Sequence, residues 1–250
     1  MNNTLESYEE TNKAETNEGN QNSRRTFLKY SSFAALTAFA FGALNPSVLR
    51  AEDAFAGLPI EPIRQGAVDL GKGDTGILNY AYALEQLEAA FYTQVLSTPY
   101  SGITSAETQI LSDIRDHEIA HRELFKTALG KKAIPGLQVN FTAINFNSRQ
   151  SVLDTAKTFE DVGVSAYNGA GQLLKKGDFL LLAGKIVSVE ARHAAAIRDL
   201  LMPMSASFAG DDAVDASGLD PARLPSEVLP LVAPFIRTQV TANNLPKPKA

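Results

Sequence analysis

Cysteine is absent from this chain of 250 residues. That excludes a disulfide framework, a zinc ribbon, an iron–sulfur cluster and a thiol nucleophile. Any metal must be held by oxygen and nitrogen, and nitrogen is scarce: the histidines are His117, His121 and His193 alone. Positive charge is also short, with 23 Lys+Arg against 28 Asp+Glu and a formal charge of −5. A nucleic-acid partner would want a basic face, so none is expected. No stretch of any length alternates as a strand does, and no GxxxxGK[ST] phosphate loop occurs.

The first 22 residues are polar, carry five glutamates and lack an apolar pattern, so they are expected to be disordered. Ser23-Arg24-Arg25-Thr26-Phe27-Leu28-Lys29 follows, then an apolar run from Tyr30 to Leu44, Asn45-Pro46 and a candidate cleavage point after Ala51. This resembles a twin-arginine export signal over its whole pattern. The apolar run falls short of the roughly 20 residues a spanning helix needs. The resemblance implies the twin-arginine export machinery as a partner, export of an already folded protein, and a periplasmic or extracytoplasmic location. Residues 1–51 contain five basic and five acidic residues, so their removal keeps the charge at −5.

Three segments are expected beyond the leader: a linker arm over 52–73, a helical bundle over 74–202, and a tail over 203–250 that wraps it. The arm is rich in glycine and proline. The first helix is expected to be capped by Asp74 or Thr75 and to run to about Leu96, its apolar stripe interrupted by Glu85 and Glu88. Thr104-Ser105-Ala106-Glu107 has the form of a capping box for the second helix, which Gly130 closes. Residues 131–148 make a long crossover with Phe141, Ile144 and Phe146. The third helix is expected from Ser148 to Lys176 and contains Gly163, Gly169 and Gly171. Each is unfavourable in a helix by up to ~1 kcal/mol and serves either close approach or a bend. The fourth helix is expected from Phe179 to Leu201. In the tail, Pro225-Ser226-Glu227-Val228-Leu229 begins a short helix.

Set beside one another, the two halves repeat. The first helix has Glu85 and, seven residues on, Tyr92; the third has Glu160 and Tyr167. The second has Glu118-x-x-His121 and the fourth Glu190-x-x-His193. A carboxylate and an imidazole three residues apart leave one face of a helix. Two divalent ions a few ångströms apart repel, so a buried pair needs several anionic ligands. Glu85, Glu118, Glu160 and Glu190 neutralise four positive charges, and His121 and His193 supply one nitrogen per ion. Glu88 competes with Glu85 for the first position, but the repeat pairs Glu88 with Gly163 and so favours Glu85.

Residues 74–202 resemble the ferritin-like superfamily. Asn79-Tyr80, Leu84-Glu85-Gln86-Leu87-Glu88 through Tyr92, and Val189-Glu190-Ala191-Arg192-His193 are similar to exported bacterial ferritin-like-domain proteins. The resemblance implies an all-α four-helix bundle with a long crossover between helices 2 and 3, and two metal ions, iron or manganese. It places Glu85, Glu118, His121, Glu160, Glu190 and His193 as ligands, with Tyr92 and Tyr167 beside them. In several iron-oxidising members an Asp precedes each Glu-x-x-His; here His117 and Val189 stand there, so the shell around the histidines differs.

The function expected is a di-metal centre reacting with O2 or peroxide as an oxidoreductase or metal-oxidation site. The alternative is a metal-binding or stress-associated structural bundle without turnover. A homo-oligomer is compatible with either. His117-Glu118-x-x-His121 is also a literal HExxH, in which His117 and His121 would hold zinc and Glu118 would act as base. That third reading leaves Glu85, Glu160, Glu190 and His193 without a role. On the di-metal reading His117 lies outside the ligand set or at its edge.

Overall fold

The computed structural model describes residues 67–248. The expected disordered segment and export signal, and most of the arm, lie outside these residues. The described elements are β1 (Val68–Asp69), α1 (Gly73–Ser97), α2 (Ser105–Leu129), α3 (Arg149–Gly171), α4 (Gly177–Leu201), α5 (Pro225–Val232) and β2 (Val240–Thr241). The four long helices form the core, α1 packing on α2 and α3 on α4. Among the described residues no helix is long and apolar enough to cross a membrane.

Helix α1 is buried on nearly every side, not along one stripe: 17 of its 25 residues are buried. That is the pattern of a helix surrounded by packing partners. The capping box of α2 is present as read. Thr104 Oγ1 accepts the Glu107 N–H at 3.1 Å, and Glu107 returns the bond to the Thr104 N–H at 2.9 Å. Arg149 then donates to the free oxygen of Glu107 at 2.6 Å, tying the start of α2 to the start of α3.

Two helix ends differ from expectation. Helix α1 begins at Gly73, with Lys72 as its cap. Asp74 does not cap it; its carboxylate accepts the backbone N–H groups of Lys175 and Lys176 at 2.9 and 3.0 Å. The same bonds explain why α3 stops at Gly171 and not at Lys176. Asp74 captures the N–H groups of residues 175 and 176 in the turn that leads to α4.

The crossover is held by α1. Buried Asn79 donates to the carbonyls of Leu70 and Lys132 and accepts the Ile134 N–H, while Gln86 accepts the Leu137 N–H. Phe141 and Phe146 each place a ring 6.0 Å from that of Phe91, which is fully buried. Burying one such ring contributes about 1.5–3 kcal/mol.

The tail wraps the bundle as expected, and adds pairing that no alternation announced. Val68 pairs with Val240 and Asp69 with Thr241 in a parallel two-residue ladder, too short to leave a period in the sequence. Arg198, in α4, is buried. Its guanidinium spans Asp161 at 3.1 and 2.7 Å and Asp212 in the tail at 2.9 Å, so it joins α3, α4 and the tail as an ion-pair partner.

The structure also decides the glycines of α3. A Cβ on Gly169 would lie 1.8 Å from the Arg223 carbonyl oxygen, so Gly169 lets the tail backbone lie against the helix. Arg223 N–H donates to Ser165 O at 2.9 Å there. Gly169→Ala is expected to destabilise the fold by a few kcal/mol through this backbone clash, as overpacking does. Urea unfolding would report the loss, and limited proteolysis would show faster cleavage near residue 223.

Candidate metal centre

All six residues singled out as ligands converge between the four long helices. Glu85, Glu118, Glu160 and Glu190 are fully buried, and His193 is 4% exposed. Two groups of ligand atoms result, each within 4.8 Å: Glu85, Glu118, His121 and Glu190, and Glu118, Glu160, Glu190 and His193. The groups share Glu118 and Glu190, the glutamates of the two Glu-x-x-His words.

The atoms divide cleanly between the groups. His121 Nδ1 lies 3.5 Å from Glu85 Oε2, 3.7 Å from Glu118 Oε2 and 3.0 Å from Glu190 Oε1. His193 Nδ1 lies 2.8 Å from Glu118 Oε1, 3.5 Å from Glu160 Oε2 and 4.0 Å from Glu190 Oε2. Each shared carboxylate therefore gives one oxygen to each group. Ligands bound at roughly 2.1 Å to one ion stand about 3 Å apart, so both spacings suit a divalent cation.

The remaining oxygens of the two end carboxylates are used by tyrosine. Tyr92 of α1 donates to Glu160 Oε1 of α3 at 2.5 Å, and Tyr167 of α3 donates to Glu85 Oε1 of α1. Each half of the repeat thus orients the other half's glutamate and leaves its Oε2 facing inward. Eight buried atoms then make no hydrogen bond: Glu85 Oε2, both oxygens of Glu118, His121 Nδ1, Glu160 Oε2, both oxygens of Glu190, and His193 Nδ1. An unsatisfied buried polar atom costs ~1–3 kcal/mol, and more if charged. Such a concentration fits cations, which satisfy carboxylate oxygens and neutral imidazole together.

The electrostatics without a cation point the same way. Burial, then neighbouring carboxylates, raises Glu190 and Glu88 well above the ordinary carboxylate range. Burial pushes Glu85 up to about 7 against the pull of His121, and raises Glu160 against the pull of His193. Burial opposes the charged form of both ligand histidines, yet the surrounding glutamates outweigh it and raise both. Burial likewise raises Glu118, but its contacts to His121 and His193 prevail and hold it low. Burial and the adjacent carboxylates keep the Tyr92 and Tyr167 hydroxyls protonated as donors.

His117 belongs to neither group. Its ring stacks on His193 with planes 9° apart, and its Nδ1 lies 2.9 Å from His193 Nε2, the nitrogen facing away from the carboxylates. Among the described residues, no cluster of candidate ligands joins His117 to His121. The sequence showed that an Asp was missing before His121 and His193, but not that His117 takes up that contact from a different helix. Val189, the corresponding residue on α4, carries no group able to make it for His121. Glu88 is 4% exposed and outside both groups, beside Glu190.

Residues 73–203 match the model of the ferritin-like domain family, just over half of the chain. The chain belongs to that family. No curated protein matches it. The fold, the buried cluster and this match agree on a ferritin-like bundle whose core is compatible with metal ions.

Proposed function

We propose that this ferritin-like protein holds two metal ions, iron or manganese, and uses them to react with O2 or peroxide. The reading rests on one observation: eight orphaned ligand atoms form two sets of four, joined through Glu118 and Glu190. Glu85 and His121 complete one position, and Glu160 and His193 the other. Four carboxylates balance the charge of two divalent ions. Such a pair, when bound, supplies redox equivalents and open coordination positions for a small oxidant.

The protein's own part is positioning. Tyr92 and Tyr167 fix the end carboxylates, and α1, buried all round, keeps bulk water out. Iron and manganese both accept this donor set. The twin-arginine pattern supports export of the folded protein to an extracytoplasmic compartment, which suits a protein loaded with metal before it leaves.

The test is metal analysis of the purified chain after reconstitution with Fe(II) or Mn(II), followed by Fe(II) oxidation and peroxide disproportionation assays. Two ions per chain with turnover are expected. Two ions without turnover would favour the non-catalytic bundle. No ion after reconstitution would overturn both, and one zinc lost on replacing His117 would revive the HExxH reading.

A further inference from the structure

The repeat that builds the site is broken at two places, and both fall on the same side. The first is Glu88. It lies one turn beyond Glu85 on α1, and its counterpart on α3, one turn beyond Glu160, is Gly163. A Cβ built on Gly163 would lie 3.1 Å from Glu88 Oε1 and 3.5 Å from Glu190 Oε2. The missing side chain therefore leaves a cradle bordered by the Glu88 and Glu190 carboxylates. Glu190 Oε2 is the oxygen on the His193 side; Oε1 faces His121.

The second break is His117. It backs His193 at 2.9 Å, while His121 is faced by no equivalent from α4, where Val189 stands. A group bonded to the outer nitrogen of a ligand histidine fixes the ring and raises its donor strength. Both additions, a carboxylate and an oriented imidazole, serve one position of the two.

Resting on the di-metal reading, we propose that the two metal positions are unequal: Glu88 is a fifth carboxylate ligand to the ion on the Glu160–His193 side, which fills first. A fifth carboxylate exceeds the four charges that two divalent ions neutralise. Its pull is therefore greatest on the first ion and is diluted by the second, which favours stepwise loading. Gly163 is the permissive residue, since any side chain there would occupy the cradle.

Cobalt(II) titration of the full-length chain tests this, because its visible absorption reports both binding and coordination number. The wild type should take up two Co(II) ions in two resolved steps. Glu88→Gln keeps shape and removes charge; it should weaken the first step by tenfold or more, bring the steps together, and raise the absorption per ion as coordination number falls. Gly163→Ala, which crowds Glu88 without altering any carboxylate, should shift the same step in the same direction. Melting of the metal-free Glu88→Gln protein at or above the wild-type temperature would show that the fold is intact. Two ions bound by Glu88→Gln with unchanged affinities and spectrum would overturn the inference while leaving the di-metal reading in place. Failure of the wild type to bind cobalt would overturn both.

Discussion

Replacing Glu190 with glutamine is expected to make the metal-free protein more stable at pH 7 and to abolish uptake of both ions. Neither oxygen of Glu190 makes a hydrogen bond. Burial, followed by repulsion from Glu118 and Glu85, raises it well above the ordinary carboxylate range. The sign follows from linkage. A carboxyl whose folded pKa exceeds its unfolded value binds more protons folded than unfolded, so stability falls as pH rises above the unfolded value. Glutamine has no such dependence. At pH 7 the relief has a ceiling of about 3.7 kcal/mol, set by 1.36 kcal/mol per unit above an unfolded value of about 4.3. For a domain of this size that is a rise in Tm of several degrees. At pH 4.5 the difference should vanish. Metal uptake moves the other way, because Glu190 gives one oxygen to each position. Melting in chelator at both pH values, with metal analysis alongside, checks the pair of effects. A lower melting point for Glu190→Gln at pH 7 would show that the metal-free core is not strained by its carboxylates.

This opposition between stability and ligation explains what was legible in the sequence. Glutamates and Glu-x-x-His words repeated at 75- and 72-residue offsets, with the family resemblance they carry, single out the six residues in the sequence itself. The helices were legible for an equally local reason: the Thr104–Glu107 box and Gly130 bound α2 by their own chemistry. What escaped depends on contacts between distant segments. Asp74 reads as a helix cap, but its acceptors are used 101 and 102 residues away. Asn79 and Gln86 stand out in the sequence only as part of the family resemblance, yet they anchor the crossover. Gly163 and Gly169 look alike as helix weak points; one makes room for a carboxylate and the other for tail backbone. His117 draws the eye as part of HExxH, and its partner proves to be His193, 76 residues on.

Loading the protein with Mn(II) or Fe(II) is expected to reverse the pH dependence of its stability. In the metal-free protein, Glu85 is pushed up to about 7 by burial, so its contribution is greatest below about pH 4.5 and is lost as pH rises to about 7. His121 and His193 act in the same direction. Burial disfavours their charge, but the glutamates raise both above an unfolded value of about 6.5. Their stabilisation is complete below that value and is lost as pH rises through the folded ones. Glu118, held low by the two histidines against burial, opposes this only below its unfolded value of about 4.3. The metal-free protein should therefore melt highest in mild acid and lose stability toward neutrality. Metal binds the same nitrogens and oxygens once they are deprotonated, so its contribution grows as pH rises. At a thousandfold excess over Kd each ion adds about 4 kcal/mol, and two ions raise Tm by roughly 15–30 °C for a domain of this size. The two melting curves should converge near pH 5 and separate steadily to pH 8. Calorimetry with and without chelator measures the gap. A metal-induced shift that shrinks as pH rises would mean that the ions bind outside the histidine and glutamate cluster.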